Sequence, residues 1–157
     1  MFIDGDLSLK NAKFIHNYLK AEGDVIVGGI NIVENEKRWG NNLRYRYEHS
    51  SKEAISAENR RKTPYQHLST NFIAHRKLIG TNPYNEDIKQ YGFEDVLLGK
   101  RFKALNAKIN HIDNPVLFND FELNAVFLCK TEEALRTLST FQTELKGYSN
   151  LLKITGK

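Results

Sequence analysis

Asp24-Val25-Ile26-Val27-Gly28-Gly29-Ile30 is the stretch from which the rest of this chain can be read. Three consecutive β-branched residues, set between a turn-forming Asp and a pair of glycines, have the length and composition of a buried strand. Working back from it, Leu9, Ala12, Phe14, Ile15, Tyr18 and Leu19 recur at helical spacing from Ser8 to about Glu22, with Ser8 placed to cap the first turn and Gly23 to stop the last. Before that helix, the apolar stub Met1-Phe2-Ile3 reads as the tail of a strand and passes into the turn chemistry of Asp4-Gly5-Asp6. Strand, helix, strand in that order predicts an α/β fold.

Downstream, residues from about Asn31 to Thr63 are polar and rich in Asn, Glu, Arg and Lys. Tyr45 and Tyr47 alternate there, a helical stretch runs around Lys52 to Arg61, and Pro64 closes the region. A strand is expected at Thr70 to His75, followed by a loop punctuated by Gly80 and Pro83. Tyr91-Gly92-Phe93-Glu94-Asp95 then precedes Val96, Leu97, Leu98, Phe102 and Leu105, whose spacing marks a helix with acids at the end that the helix dipole favours. Lys108 to Ile112 reads as another strand, closed by Asn114-Pro115. Leu123 to about Leu145 reads as a helix carrying Val126, Leu128, Leu135 and Leu138, and Leu151-Leu152 forms a last short apolar segment. With no internal repeat, heptad run or low-complexity linker, residues 1–145 are expected to form one unit and residues 146–157 a C-terminal tail.

A composition of 40% hydrophobic and 27% charged residues over 157 positions is globular. The longest apolar runs, Val25-Ile26-Val27 and Ala125-Val126-Phe127-Leu128, fall far short of the roughly 20 residues a membrane span needs. Met1 leads straight into Phe2-Ile3-Asp4 with no basic and apolar leader, and the lone Cys129 has no partner for an internal disulfide, so a cytoplasmic setting is expected. A net charge of +4 permits a polyanionic partner, but 23 basic residues against 19 acidic ones, mostly interspersed, do not demand one. The one tight basic cluster, Arg60-Arg61-Lys62, reads either as a phosphate or nucleic-acid contact or as a solvated helix end. A nucleic-acid reading would recruit Tyr45, Tyr47 and Tyr65 as stacking platforms. No nucleic-acid partner is expected.

Two acidic motifs carry the chemistry. Asp4-Gly5-Asp6, after a strand, can present carboxylates from a turn to a hard divalent cation that keeps waters and substrate phosphates as its other ligands; it can equally be a plain strand-to-helix turn with Asp6 as a cap. Glu94-Asp95 at the opening of a helix can place a carboxylate to remove a proton from an attacking hydroxyl, or can simply cap that helix.

Taken together and in order, Phe2-Ile3-Asp4-Gly5-Asp6, Gly92-Phe93-Glu94-Asp95-Val96-Leu97-Leu98-Gly99-Lys100-Arg101 and Ile109-Asn110-His111-Ile112-Asp113-Asn114-Pro115-Val116 resemble the family-two, GT-A type, inverting glycosyltransferases of bacterial surface-polysaccharide synthesis. The middle motif is also similar to the galactosyltransferase C-terminal domain, and the resemblance runs from about Phe2 to Leu138. It implies a GT-A like mixed sheet flanked by helices, and transfer of a sugar from a nucleotide-sugar donor to a saccharide or lipid-linked saccharide acceptor, with peripheral membrane association within its scope. It assigns Asp4 and Asp6 to Mg²⁺ or Mn²⁺ on the donor diphosphate, with Asp6 as the principal ligand. It makes Asp95 the base and Glu94 an acceptor-positioning residue, a division that can also run the other way. His111 matches a family position near the site, where an imidazole would contact metal or phosphate; a histidine ending a strand is also an ordinary hydrogen-bonded residue.

The sequence departs from the family pattern in two places. Phe118 stands where related sequences often carry a second histidine, and the N-terminal nucleotide-binding part of the family fold is not in this sequence. The expectation is therefore a catalytic half that would work with a missing N-terminal half or in an oligomer. The competing expectation is a non-catalytic remnant or partner-binding module in which the same acids cap helices and an open sheet edge pairs with another chain.

Overall fold

A computed structural model gives the fold and describes residues 1–50 and 56–146. The start of the helical stretch expected around Lys52, the Leu151-Leu152 segment and nearly all of the 146–157 tail lie outside the described residues.

The fold is α/β, built on a mixed four-stranded sheet. Val25–Val27 (β2) sits inside it with all three residues buried. On one side β2 pairs antiparallel with Asn71–Ala74 (β4), Ile26 opposite Ile73; on the other it pairs parallel with Ile109–His111 (β5), Ile26 opposite Asn110. Phe2–Ile3 (β1) adds to the outside of β4, Phe2 opposite Phe72, so the order is β1-β4-β2-β5 with β4 the one reversed strand. Residues that are apolar on both faces of β2 suit a sheet packed on both sides.

After β2 the chain passes through Gly28-Gly29 into Ile30–Ile32 (β3), and after β5 it passes through Asn114-Pro115 into Val116–Phe118 (β6). The parallel ladder carries on across both breaks. Ile112 N donates to Val27 O, Asn114 N to Gly28 O and Val116 N to Gly29 O, after which β3 and β6 pair as a second, two-stranded sheet. The sequence reading recognised neither β3 nor β6 as a strand.

Phe14–Lys20 (α1) covers one face, burying Phe14 and Tyr18 against Ile26 and Val116. It is shorter than the expected helix from Ser8, because the Ser8 backbone exchanges hydrogen bonds with Leu117 of β6, at 2.9 and 2.8 Å, and an Asn11 side chain accepting from Lys13 N turns the chain just before Phe14. The polar region holds Glu36–Trp39 (α2) and Leu43–Ser50 (α3). The α3 helix forms without an apolar stripe: the Asn42 side chain accepts from Tyr45 N at 2.9 Å and Arg44 pairs with Glu48 one turn on. Tyr45 packs inward with Phe118 and Phe121, whereas Tyr47 is exposed.

Ala57–Arg60 (α4), capped by the Ser56 hydroxyl, and Arg76–Ile79 (α5) flank β4 in sequence. Glu94–Ala104 (α6) packs Leu98 and Phe102 on the other face of the sheet with Val25, Val27, Leu68 and Phe72. The closing helix is two pieces, Asn124–Thr140 (α7) and Gln142–Leu145 (α8), parted at Phe141.

Candidate functional site

Asp4 is the first residue beyond β1, and the strand fixes where it goes. Its N–H donates to Thr70 O at 3.3 Å, and Leu7 N donates back to Asp4 O at 3.4 Å, closing a turn that leaves Asp4, Gly5 and Asp6 exposed. The second motif is delivered by an unusual bend. Gly92 (φ 104°) and Phe93 (φ 67°) both lie in the left-handed region just before α6. Gly92 tolerates this without cost; Phe93 does not, and such strain persists only where its surroundings impose it. Here α7 imposes it: the Thr137 hydroxyl donates to Tyr91 O at 3.0 Å, and a side chain on Gly92 would run into Ala134. The result is that Glu94 and Asp95 open α6.

The two acidic motifs feel one another. Although Asp4 as a residue is exposed, partial burial of its carboxyl, and then repulsion from Asp6 and Glu94, raise that carboxyl above its ordinary range. Asp95 is pushed up to about 6, first by burial, then by Glu94 and more weakly by Asp4; the Val96 N–H, 2.8 Å from its Oδ1, pulls the other way. The Glu94 Oε2 atom is buried with no hydrogen-bond partner among the described residues. No ion pair among the described residues joins any of the four carboxylates to a Lys, Arg or His. This is a concentration of negative charge that the described residues do not neutralise.

Tyr84 belongs to the same place, and the sequence reading passed over it. Its hydroxyl is raised by burial and by Asp4, Asp95 and Glu94, and its ring meets Phe2 edge-on at 6.2 Å. A half-buried aromatic following Asn82-Pro83 in the loop before the second motif was the available signal. From Tyr84 an open groove of about 370 Å³ runs along α6 past Leu97, Arg101 and Ala104 to Glu144.

His111 is elsewhere in the chemistry. It is fully buried on β5, with Nε2 2.9 Å from Pro64 O and Nδ1 3.4 Å from Arg60 Nε. The guanidinium can only donate, so Nδ1 accepts and Nε2 carries the proton given to Pro64. Burial, with the Arg60 charge adding to it, pushes the imidazole down to about 4. Both ring nitrogens are engaged, and among the described residues no three His, Cys, Asp or Glu side chains gather to hold a metal ion, so Asp4, Asp6 and His111 form no such set.

In Arg60-Arg61-Lys62, the last two residues lie exposed at the end of α4, whereas Arg60 fits neither a phosphate contact nor a solvated helix end. Arg60 is only 2% exposed and donates to Gly28 O and Ile112 O, at 3.3 and 2.8 Å. Arg61 donates to His111 O at 2.6 Å but is otherwise exposed, and Lys62 faces solvent against Asn59. The guanidinium of Arg60 occupies the space a Cβ on Gly29 would need.

No protein-family model, no curated protein and no solved structure matches this chain. No helix among the described residues is long and apolar enough to cross a membrane.

Proposed function

We propose that this chain is the acceptor-side, catalytic part of a GT-A type inverting glycosyltransferase that moves a sugar from a nucleotide-sugar donor to a saccharide or lipid-linked saccharide acceptor. The observation that supports the proposal is that Glu94 acts on the Asp4 carboxyl and Asp4 on that of Asp95, so the two acidic motifs lie close enough to repel one another. A mixed sheet with helices packed on it is in keeping with the same fold.

Asp95 suits the role of base. A carboxylate titrating at about 6 is a stronger proton acceptor than an ordinary one and is still largely ionised at neutral pH. In the proposed step the acceptor hydroxyl gives its proton to Asp95 and its oxygen bonds to the anomeric carbon. The anomeric carbon–oxygen bond to the diphosphate breaks, and the electron pair leaves with the nucleoside diphosphate. Glu94, beside Asp95, holds the acceptor. Asp4 and Asp6 are hard oxygen donors without a protein counter-ion among the described residues, which fits Mg²⁺ or Mn²⁺: such an ion is commonly held by one or two carboxylates, waters and substrate phosphates, with no need of a third protein ligand. When bound, it would neutralise charge on the leaving diphosphate. A donor of this kind goes with a cytoplasmic setting.

Calorimetric titration with uridine and guanosine diphosphate sugars, with and without Mn²⁺, tests the reading. Metal-dependent binding that Asp6→Ala weakens and Asp95→Asn leaves intact is expected, with transfer lost in Asp95→Asn. Absence of binding in both conditions would instead point to a non-catalytic domain whose acids cap helices.

A further inference from the structure

The segment leading into α1, together with the outer side of that helix, exposes apolar and basic side chains next to one another. Phe14 and Tyr18 point into the core and the Asn17 side chain is tied to Asn114 at 2.9 Å, so the helix cannot roll. Its other side is therefore turned to solvent by construction. Ile15 and Leu19, one turn apart, are 51% and 77% exposed, and Leu9 just upstream is 55% exposed. Next to that apolar stripe runs a basic one, His16 and Lys20 at the same one-turn spacing, with Lys13 at the N-cap and Lys10 ahead of it, all exposed.

No acid interrupts the segment from Leu7 to Ala21, and none of its three lysines has an ion-pair partner among the described residues. The α7 helix also exposes Leu128 and Leu135, but Glu132 and Glu133 stand between them, so that face would repel anions where the α1 face attracts them.

We propose that this face docks α1 on an anionic lipid surface. Ile15 and Leu19 enter the boundary between headgroups and acyl chains, while Lys10, Lys13 and Lys20 meet lipid phosphate oxygens. Exposed apolar side chains bordered by uncompensated lysines are the combination such a surface binds, because burial of the first and Coulomb attraction of the second act at the same depth. Neither stripe would suffice alone. The inference does not depend on the proposed transferase activity.

The test is co-sedimentation of the full chain with vesicles of phosphatidylcholine alone and of equal parts phosphatidylcholine and phosphatidylglycerol. Sedimentation with the mixed vesicles only, falling as salt is raised, is expected. Each of Lys10→Gln, Lys13→Gln and Lys20→Gln should lower partitioning about fivefold, and Leu19→Glu at least about tenfold. All four side chains are exposed, so an unchanged far-ultraviolet circular dichroism spectrum should accompany each loss. Equal sedimentation of Leu19→Glu and wild type would overturn the proposal. So would failure of the wild-type chain to sediment, whether the lysines then bind an oligonucleotide or Leu19→Glu breaks up a dimer of this chain.

Discussion

Replacing Asp95 with Asn should make this protein more stable at neutral pH and leave it unchanged in acid. A free aspartate titrates near 3.8 and Asp95 in the folded chain at about 6, so folding binds this group's proton more tightly than the unfolded chain does. The stabilising influence of that proton is fully present below 3.8 and is lost as pH rises through 6. Each unit corresponds to about 1.4 kcal/mol, so above pH 7 the ionised Asp95 costs the fold up to about 3 kcal/mol.

Asn removes that cost while its amide oxygen still accepts from Val96 N. For a chain of this size about 3 kcal/mol is roughly 6–12 °C in Tm. The wild-type pH profile by itself would mislead, because His111, held well below its ordinary value, opposes the trend over nearly the same interval. The quantity to measure is therefore the Tm of Asp95→Asn minus that of wild type, by calorimetry at pH 7.5 and pH 4 in the presence of a chelator. A large positive difference at the higher pH that shrinks towards zero at the lower would agree with the reasoning. A difference that is negative, or the same at both, would refute it.

Mn²⁺ should raise the Tm of the wild-type chain, by relieving repulsion among the carboxylates as well as by mass action, and should do so less in Asp6→Ala; equal shifts in a thermal melt would remove Asp6 from the site. Arg60→Met should cost about 2 kcal/mol or more, since it strands the Ile112 carbonyl and the acceptor nitrogen of His111, each worth about 1–3 kcal/mol when orphaned, while Gly28 O keeps its bond from Asn114 N. Urea unfolding reads the loss, and a proton NMR titration should show the His111 imidazole moving up as the neighbouring cation disappears. In Gly99→Ala the new methyl would press on the Tyr65 carbonyl oxygen, so α6 must shift or the chain lose about 1–3 kcal/mol; an unaltered urea midpoint would show that α6 has more room than its packing indicates.

The parts of the fold legible in the sequence are those where one face of an element meets the core. The β-branched run of β2, Phe72 within β4 and the spacing of Leu98 and Phe102 on α6 all carry their burial in their pattern. What escaped notice depends on partners distant in the chain. Ser8 looks like a helix cap, but its backbone is taken by Leu117. The β6 strand is three residues after a proline, too short to carry a period. The polar α3 is held by the Asn42 cap and a single ion pair rather than by a stripe.

At the candidate site the two acidic motifs were legible as motifs, but their effect on one another appears only once the chain is folded. The place of Arg60 was not legible, because its burial is made possible by the side chain that Gly29 lacks. Tyr84 was hidden for another reason: a tyrosine in a loop carries no pattern, and its meaning comes only from the carboxylates that face it.

Among the described residues the sheet contains no hairpin. Phe2 waits for Phe72, Val25 for Ile109 and Ile30 for Val116, so each strand's partner is made long after it. During synthesis on a ribosome β1 and β2 would wait for β4, and β3 and the other edge of β2 would stay open until residues 109–118 follow; contacts this remote in sequence form slowly and leave edges exposed to other chains meanwhile. Nascent chains that stall before α6 should therefore be aggregation-prone and sensitive to chaperone supply, whereas the sheet can close once residue 118 has cleared the exit tunnel.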